Sequence, residues 1–160
     1  MKEIDLISKI KVYSYDELPE ADRLLVEKAK EATYTSYAPY SHFCVGAALR
    51  LADGTDISGS NQENAAFPSS LCAERTALFY ANAHCPDQPV REIAVAARTQ
   101  NGFLKAPIPP CGACRQVMLG VEERYGSPIR VLLYGEETIY EVDSVRTLLP
   151  LQFVGETMNE

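Results

Sequence analysis

The chain has 160 residues, 46% hydrophobic and 23% charged, and its 15 Lys and Arg against 22 Asp and Glu give a formal charge of −7. A length of that order suits one domain able to bury a core without disulfides, and the acidic balance argues against a nucleic-acid partner, which wants a basic face. No apolar run approaches the roughly 20 residues that span a bilayer, and the start, MKEIDLISKIKVYSYDELPE, lacks the apolar core of a signal peptide. The expectation is a cytoplasmic protein with no membrane partner. It forms a single domain over residues 1–160, with residues 1–15 as a peripheral N-terminal arm.

From about Asp16 to Ser36 the pattern predicts a helix, because Ala21, Leu25, Ala29 and Ala32 fall four, four and three apart on one face. Pro19 fits the first turn, where its missing N–H costs nothing, and Pro39 forbids continuation. HFCVGAALRLADGTDISGSN reads as a β-hairpin about Asp53-Gly54, a dipeptide that supplies the positive φ of a tight turn. LCAERTALFYANA is a helix with Ala73, Ala77 and Ala81 four apart. REIAVAA is a buried strand, and CGACRQVMLGVEERYG a second helix ended by Gly126. PIRVLLYG is another buried strand, TIYEV a short one, and VRTLLP a last helical turn. This order of five strands among helices predicts an α/β fold, a three-layer α-β-α sandwich around a mixed five-stranded sheet.

The five cysteines are Cys44, Cys72, Cys85, Cys111 and Cys114. In a reducing compartment, clustered cysteines point to metal or catalysis more than to disulfides. Within PIPPCGACRQVM, the Cys111–Cys114 spacing alone allows a redox pair, a disulfide or half of a zinc site. Cys72 narrows the choice. Like Cys111 it stands where a loop turns into a predicted helix, and the positive end of a helix favours thiolate. Three soft ligands suit Zn²⁺ and leave a fourth position for water. Glu74, two residues past Cys72 on the first turn, is placed to exchange protons with that water. A fully structural zinc is the alternative, with Cys44, Cys85 or His84 as fourth ligand, but it leaves Glu74 without a role. Otherwise Cys44 and Cys85 read as core or surface thiols, and His42 and His84 as polar loop residues.

With both cysteine motifs in place, CAERTALF and PCGACRQ resemble the signatures of the cytidine deaminase family. The likeness runs from about Ala29 to Phe153, with YSHFCVGAAL similar to the family's first strand, NQENAAF to its ribose-binding stretch and LLPLQF to its C-terminal closure. The resemblance implies zinc-dependent hydrolytic deamination of cytidine and deoxycytidine in pyrimidine salvage. Cys72, Cys111 and Cys114 would be the metal ligands and Glu74 the catalytic acid–base group. It implies that Arg75 hydrogen-bonds ligand sulfur and draws off the excess negative charge of three thiolates. It implies substrate contacts from Phe43, Asn61, Glu63, Ala73 and Phe153, with Asn61 and Glu63 on the ribose hydroxyls and the Ala73 N–H facing the pyrimidine. Cysteine at position 72 and the short chain resemble the homotetrameric branch, whose active sites are shared between subunits. Phe67 and Phe153 are the candidates for reaching across.

The leader through about Glu20 and Pro68 before the zinc ligand depart from the compact pattern. A blasticidin-S deaminase is the nearest enzymatic alternative. A non-enzymatic zinc module and an RNA- or DNA-editing deaminase are the others, the last disfavoured by the acidic balance and by Glu63.

Overall fold

A computed structural model describes residues 1–158. Seven strands form one sheet in the order β1-β7-β6-β4-β2-β3, with β5 paired to the end of β4. The strands are β1 (Lys11–Tyr13), β2 (Cys44–Leu51), β3 (Asp56–Ser60), β4 (Val90–Thr99), β5 (Gly102–Phe103), β6 (Arg130–Tyr134) and β7 (Ile139–Val142). Three helices cover it: α1 (Glu20–Ala32), α2 (Ala73–His84) and α3 (Gly112–Tyr125). The β4–β6 pair is parallel and bridged by α3, while the remaining pairs are antiparallel. The α/β class and the mixed sheet are as the sequence predicts, but the expected five strands become seven. The additions are β1, from within the segment read as an arm, and the two-residue β5. Neither is long enough to show a two-residue period.

Alternation along the strands sorts side chains into two cores. Leu49, Ile93, Val95, Val131 and Leu133 face α2 and α3, where Ala77, Leu78, Met118 and Leu119 close over them. Ala48, Ala94, Ala96 and Leu132 face α1, which answers with Leu25, Val26 and Ala29. The α1 side carries small residues because the helix lies close: a Cβ on Gly46 would fall 2.1 Å from the Ala29 carbonyl oxygen. Burying each of the larger aliphatic side chains contributes about 1.5–3 kcal/mol.

Two local readings change. The buried face of α1 is Asp22, Leu25, Val26, Ala29 and Ala32, and Ala21 points to solvent. Asp22 is tolerated inside because Arg130 of β6 holds both its oxygens, at 2.7 and 2.5 Å. Pro19 is the residue before the helix rather than in its first turn. In the hairpin, Gly54 alone takes a positive φ, 86°. Its N–H bonds to the Leu51 carbonyl and the Leu51 N–H to that of Thr55, so a three-residue loop with glycine in the left-handed position closes β2 onto β3.

Both loops that matter leave the same end of the sheet. The chain runs from the carboxyl end of β3 through residues 61–71 into α2, and from the β4–β5 turn through residues 104–111 into α3. The crevice outside the carboxyl ends of strands is where α/β sheets place ligands.

Candidate active site

Cys72 is the residue capping α2 and Cys111 the residue capping α3, both in extended conformation, with no side-chain capping bond. Their sulfurs are therefore left for other work. Cys114 lies one turn into α3 and is fully buried. The Sγ atoms of Cys72 and Cys111 are 3.7 Å apart, those of Cys111 and Cys114 3.5 Å, and all three lie within 4.8 Å of one another. Tetrahedral zinc with Zn–S bonds of about 2.3 Å sets its sulfurs about 3.8 Å apart, so the donor set fits the ion in kind and in spacing. Among the described residues no other Cys, His, Asp or Glu joins the group. Cys44, Cys85 and His84 stand outside the group, so among the described residues no fourth ligand of those types joins the three thiols.

The thiols differ in acidity. A hydrogen bond from Cys114, then the Arg75 guanidinium and Cys111, outweigh burial and pull the Cys72 thiol down to about 5. Cys114, bonded to the Cys72 anion and buried, is pushed far above the usual thiol range. Arg75 Nη2 sits 3.6 Å from the Cys72 sulfur, placing positive charge directly on a ligand. Glu74, only 4% exposed, stands beside this group. Burial pushes its carboxyl up, and the Cys72 charge pushes the same way against the bonds from its own N–H and from Cys114.

Cys72, Glu74, Arg75 and Cys111 line one open cleft of about 570 Å³, together with Phe43, Asn61 and Glu63. Asn61 and Glu63 follow the end of β3 and line the same cleft. Asn61 Oδ1 accepts from Ser36 Oγ at 2.5 Å and the Val45 N–H at 2.8 Å, and its Nδ2 donates to the Phe43 carbonyl at 2.9 Å. Glu63 accepts from the Tyr40 and Ser41 N–H groups at 2.9 and 3.2 Å, and from the Ser41 hydroxyl. These bonds hold its carboxyl below the usual carboxylate range, with the Ser41 hydroxyl first among them.

A family model for the cytidine and deoxycytidylate deaminase zinc-binding region matches residues 2–102, a span that contains Cys72 and Glu74. The chain belongs to that deaminase family. It is 43% identical to a cytidine deaminase of Halalkalibacterium halodurans over 86% of this chain and 98% of the relative. A crystal structure of cytidine deaminase from Burkholderia pseudomallei superposes with a TM-score of 0.70 at 43% identity, covering 81% of this chain and 97% of that one. That from Mycobacterium tuberculosis gives 0.63 at 28% identity, covering 82% and 95%. The match at residue 2 includes the leader that sequence reading set apart from the family pattern.

The cleft and the thiol cluster together gather Cys72, Cys111, Cys114, Glu74, Arg75, Phe43, Asn61 and Glu63 from the sequence-derived set. Ala73 is buried behind the cleft as the first residue of α2, where N–H groups have no partner within the helix. Phe153 stands apart. It is 62% exposed, outside the cleft of its own chain, and its carbonyl accepts from Gln116. Sequence reading missed two supports of the deaminase loops. Arg115 donates to the Pro110 carbonyl at 2.8 Å and to that of Leu148 at 2.7 Å, tying the loop before Cys111 to the C-terminal segment. Gly135 lets that loop cross the end of β6: a Cβ there would fall 2.5 Å from the Lys105 carbonyl oxygen. A glycine directly after a buried strand was the available signal.

Proposed function

We propose that the chain is a one-domain cytoplasmic enzyme that hydrolyses cytidine and deoxycytidine to uridine and deoxyuridine plus ammonia, serving pyrimidine salvage as a homotetramer. The observation that carries this reading is the meeting of three metal-spaced thiols with one buried carboxyl at the side of a cleft. Bound to Cys72, Cys111 and Cys114, zinc supplies a Lewis acid that makes a water nucleophilic at neutral pH.

The chain's own residues do the rest. Glu74, whose burial raises its proton affinity toward the working pH, takes the proton that the attacking water loses. It delivers that proton to ring nitrogen 3 as carbon 4 is attacked, then takes a second from the new hydroxyl on carbon 4 and gives it to the amine, which leaves as ammonia while the C4 carbonyl forms. Acid–base work of this kind is worth about 10²–10⁴ in rate. Arg75, on the Cys72 sulfur, offsets the surplus charge of three thiolates, which would otherwise make the water harder to ionise. Phe43 packs on the base, and the Ala73 N–H faces the pyrimidine.

Counting free hydrogen-bonding sites supports nucleosides of both sugars. Both lone pairs of Asn61 Oδ1 are taken and one Nδ2 hydrogen is used, leaving one donor. Three of about four acceptor sites on Glu63 are taken, leaving one. One donor and one acceptor match a single hydroxyl, so this pair reads one sugar oxygen and leaves the other unread. The only basic side chain lining the cleft among the described residues is Arg75, already on sulfur, so no cation there awaits a phosphate.

Ammonia release from zinc-loaded protein tests the reading, with cytidine, deoxycytidine, cytosine, cytidine monophosphate and blasticidin S as substrates. The two nucleosides should both react, and the free base and nucleotide should be poor. Robust turnover of the nucleotide would overturn the pocket.

A further inference from the structure

The loop before β2, Tyr40–Phe43, is folded around the Glu63 carboxylate, and one side chain makes the fold possible. Ser41 Oγ donates to Glu63 Oε1 and accepts from the Phe43 N–H at 3.1 Å, while the Tyr40 and Ser41 N–H groups fill Oε2. His42, at φ 56°, takes the left-handed conformation that turns the chain back so that Phe43 N–H meets the serine. Its own N–H bonds to the Ala38 carbonyl. A hydroxyl relay therefore runs from the backbone of Phe43, on one wall of the cleft, to the carboxylate of Glu63, on another.

We infer that Ser41 is a positioning residue for sugar recognition. Its hydroxyl, oriented by the Phe43 N–H, fixes the rotation of the Glu63 carboxylate so that the one acceptor site left on Oε1 is presented to the substrate. The two backbone bonds on Oε2 anchor one oxygen only. Without the serine the carboxylate turns about that anchor, and solvent, rather than a sugar hydroxyl, satisfies Oε1. A loop serine on the cleft wall thus governs, through Glu63, how sharply a hydroxylated sugar is distinguished from one without hydroxyls. This rests on the reading of Glu63 as the acceptor of a sugar hydroxyl.

The test compares kcat/KM for cytidine and for 2′,3′-dideoxycytidine, which lacks both hydroxyls Glu63 could accept, in the wild type, Ser41→Ala, Ser41→Thr and Glu63→Ala, each with zinc content and melting temperature measured. The wild type should prefer cytidine. Ser41→Ala should shrink that preference by about tenfold, the scale of one hydrogen bond to a charged group, with the loss on cytidine falling mainly on KM. Ser41→Thr, which keeps the hydroxyl, should restore the preference. Equal losses on both substrates in Ser41→Ala, or an unchanged preference, would overturn the inference while leaving Glu63→Ala defective against cytidine alone. A wild type without preference, with Glu63→Ala silent, would instead remove the underlying reading of Glu63 and the inference with it.

Discussion

At the scale of single residues, three thiols of one chemical type are made unlike by their neighbours. Cys72 is ionised near pH 5 by its bonds to Cys114 and Arg75, whereas Cys114 keeps its proton through neutral pH. Zinc takes thiolates, so binding at pH 7 must displace the Cys114 proton, and affinity must rise with pH. Titration calorimetry in buffers of different ionisation enthalpy should show at least one proton released per zinc; none released would contradict the assigned acidities. In the same measurement Arg75→Gln should bind zinc about tenfold or more weakly, because partners of ligand atoms typically contribute that much. The thiol cluster and the carboxyl beside it were legible because Cys72, Glu74, Cys111 and Cys114 sit at fixed short spacings at helix starts. The Tyr40–Phe43 wrap about Glu63 was not, because its bonds span some twenty residues and depend on His42 taking a conformation sequence does not announce for histidine.

At the scale of elements, the site depends on how closely α2 rides over β3. A Cβ on Gly59 would fall 2.7 Å from the Ala77 nitrogen and 2.9 Å from the Ala73 carbonyl oxygen. Both are backbone atoms of α2, which leaves no flexible group to yield, so Gly59→Ala must push the start of α2 outward, taking Cys72 and Glu74 away from Cys111 and Cys114 on α3. The expected result is a stability loss of about 1–3 kcal/mol, as for other overpacked interiors, with zinc affinity falling as well. Chemical denaturation and zinc titration check the two effects, and unchanged zinc affinity would show that the helix accommodates the methyl in place. Long elements were readable from periodicity: Ala73, Ala77 and Ala81 are all buried on α2 as their spacing predicts. The exception on α1 is instructive, since Asp22 displaces Ala21 from the inner face only because Arg130, more than a hundred residues away, neutralises it. The same distance hid β1, whose three residues pair with β7 and are pinned by Lys11 to Glu141 and Asp143.

At the scale of the whole molecule, two of the large apolar side chains that this chain leaves uncovered bear on the proposed assembly. Phe67, 69% exposed, forms part of the cleft rim and packs edge-on against Tyr40, while Phe153 stands clear of its own cleft. Exposed apolar side chains that pack together, as Phe67 does with Tyr40, mark contact surfaces. They support the proposed tetramer, in which such side chains complete a neighbour's site. Light scattering on the purified protein should give four chains per particle, and replacing Phe153 by Ala should lower both that number and the turnover. A fully active monomer would remove shared sites from the account.

The central claim is that one buried carboxyl moves the protons for a reaction staged on three thiols. It is tested most directly by ammonia release from cytidine with Glu74→Gln protein whose zinc content has been measured. Zinc should remain at one ion per chain, because Glu74 is not among the three ligands, while turnover falls by about a hundredfold or more. Turnover close to that of the unaltered protein, with zinc in place, would contradict the account.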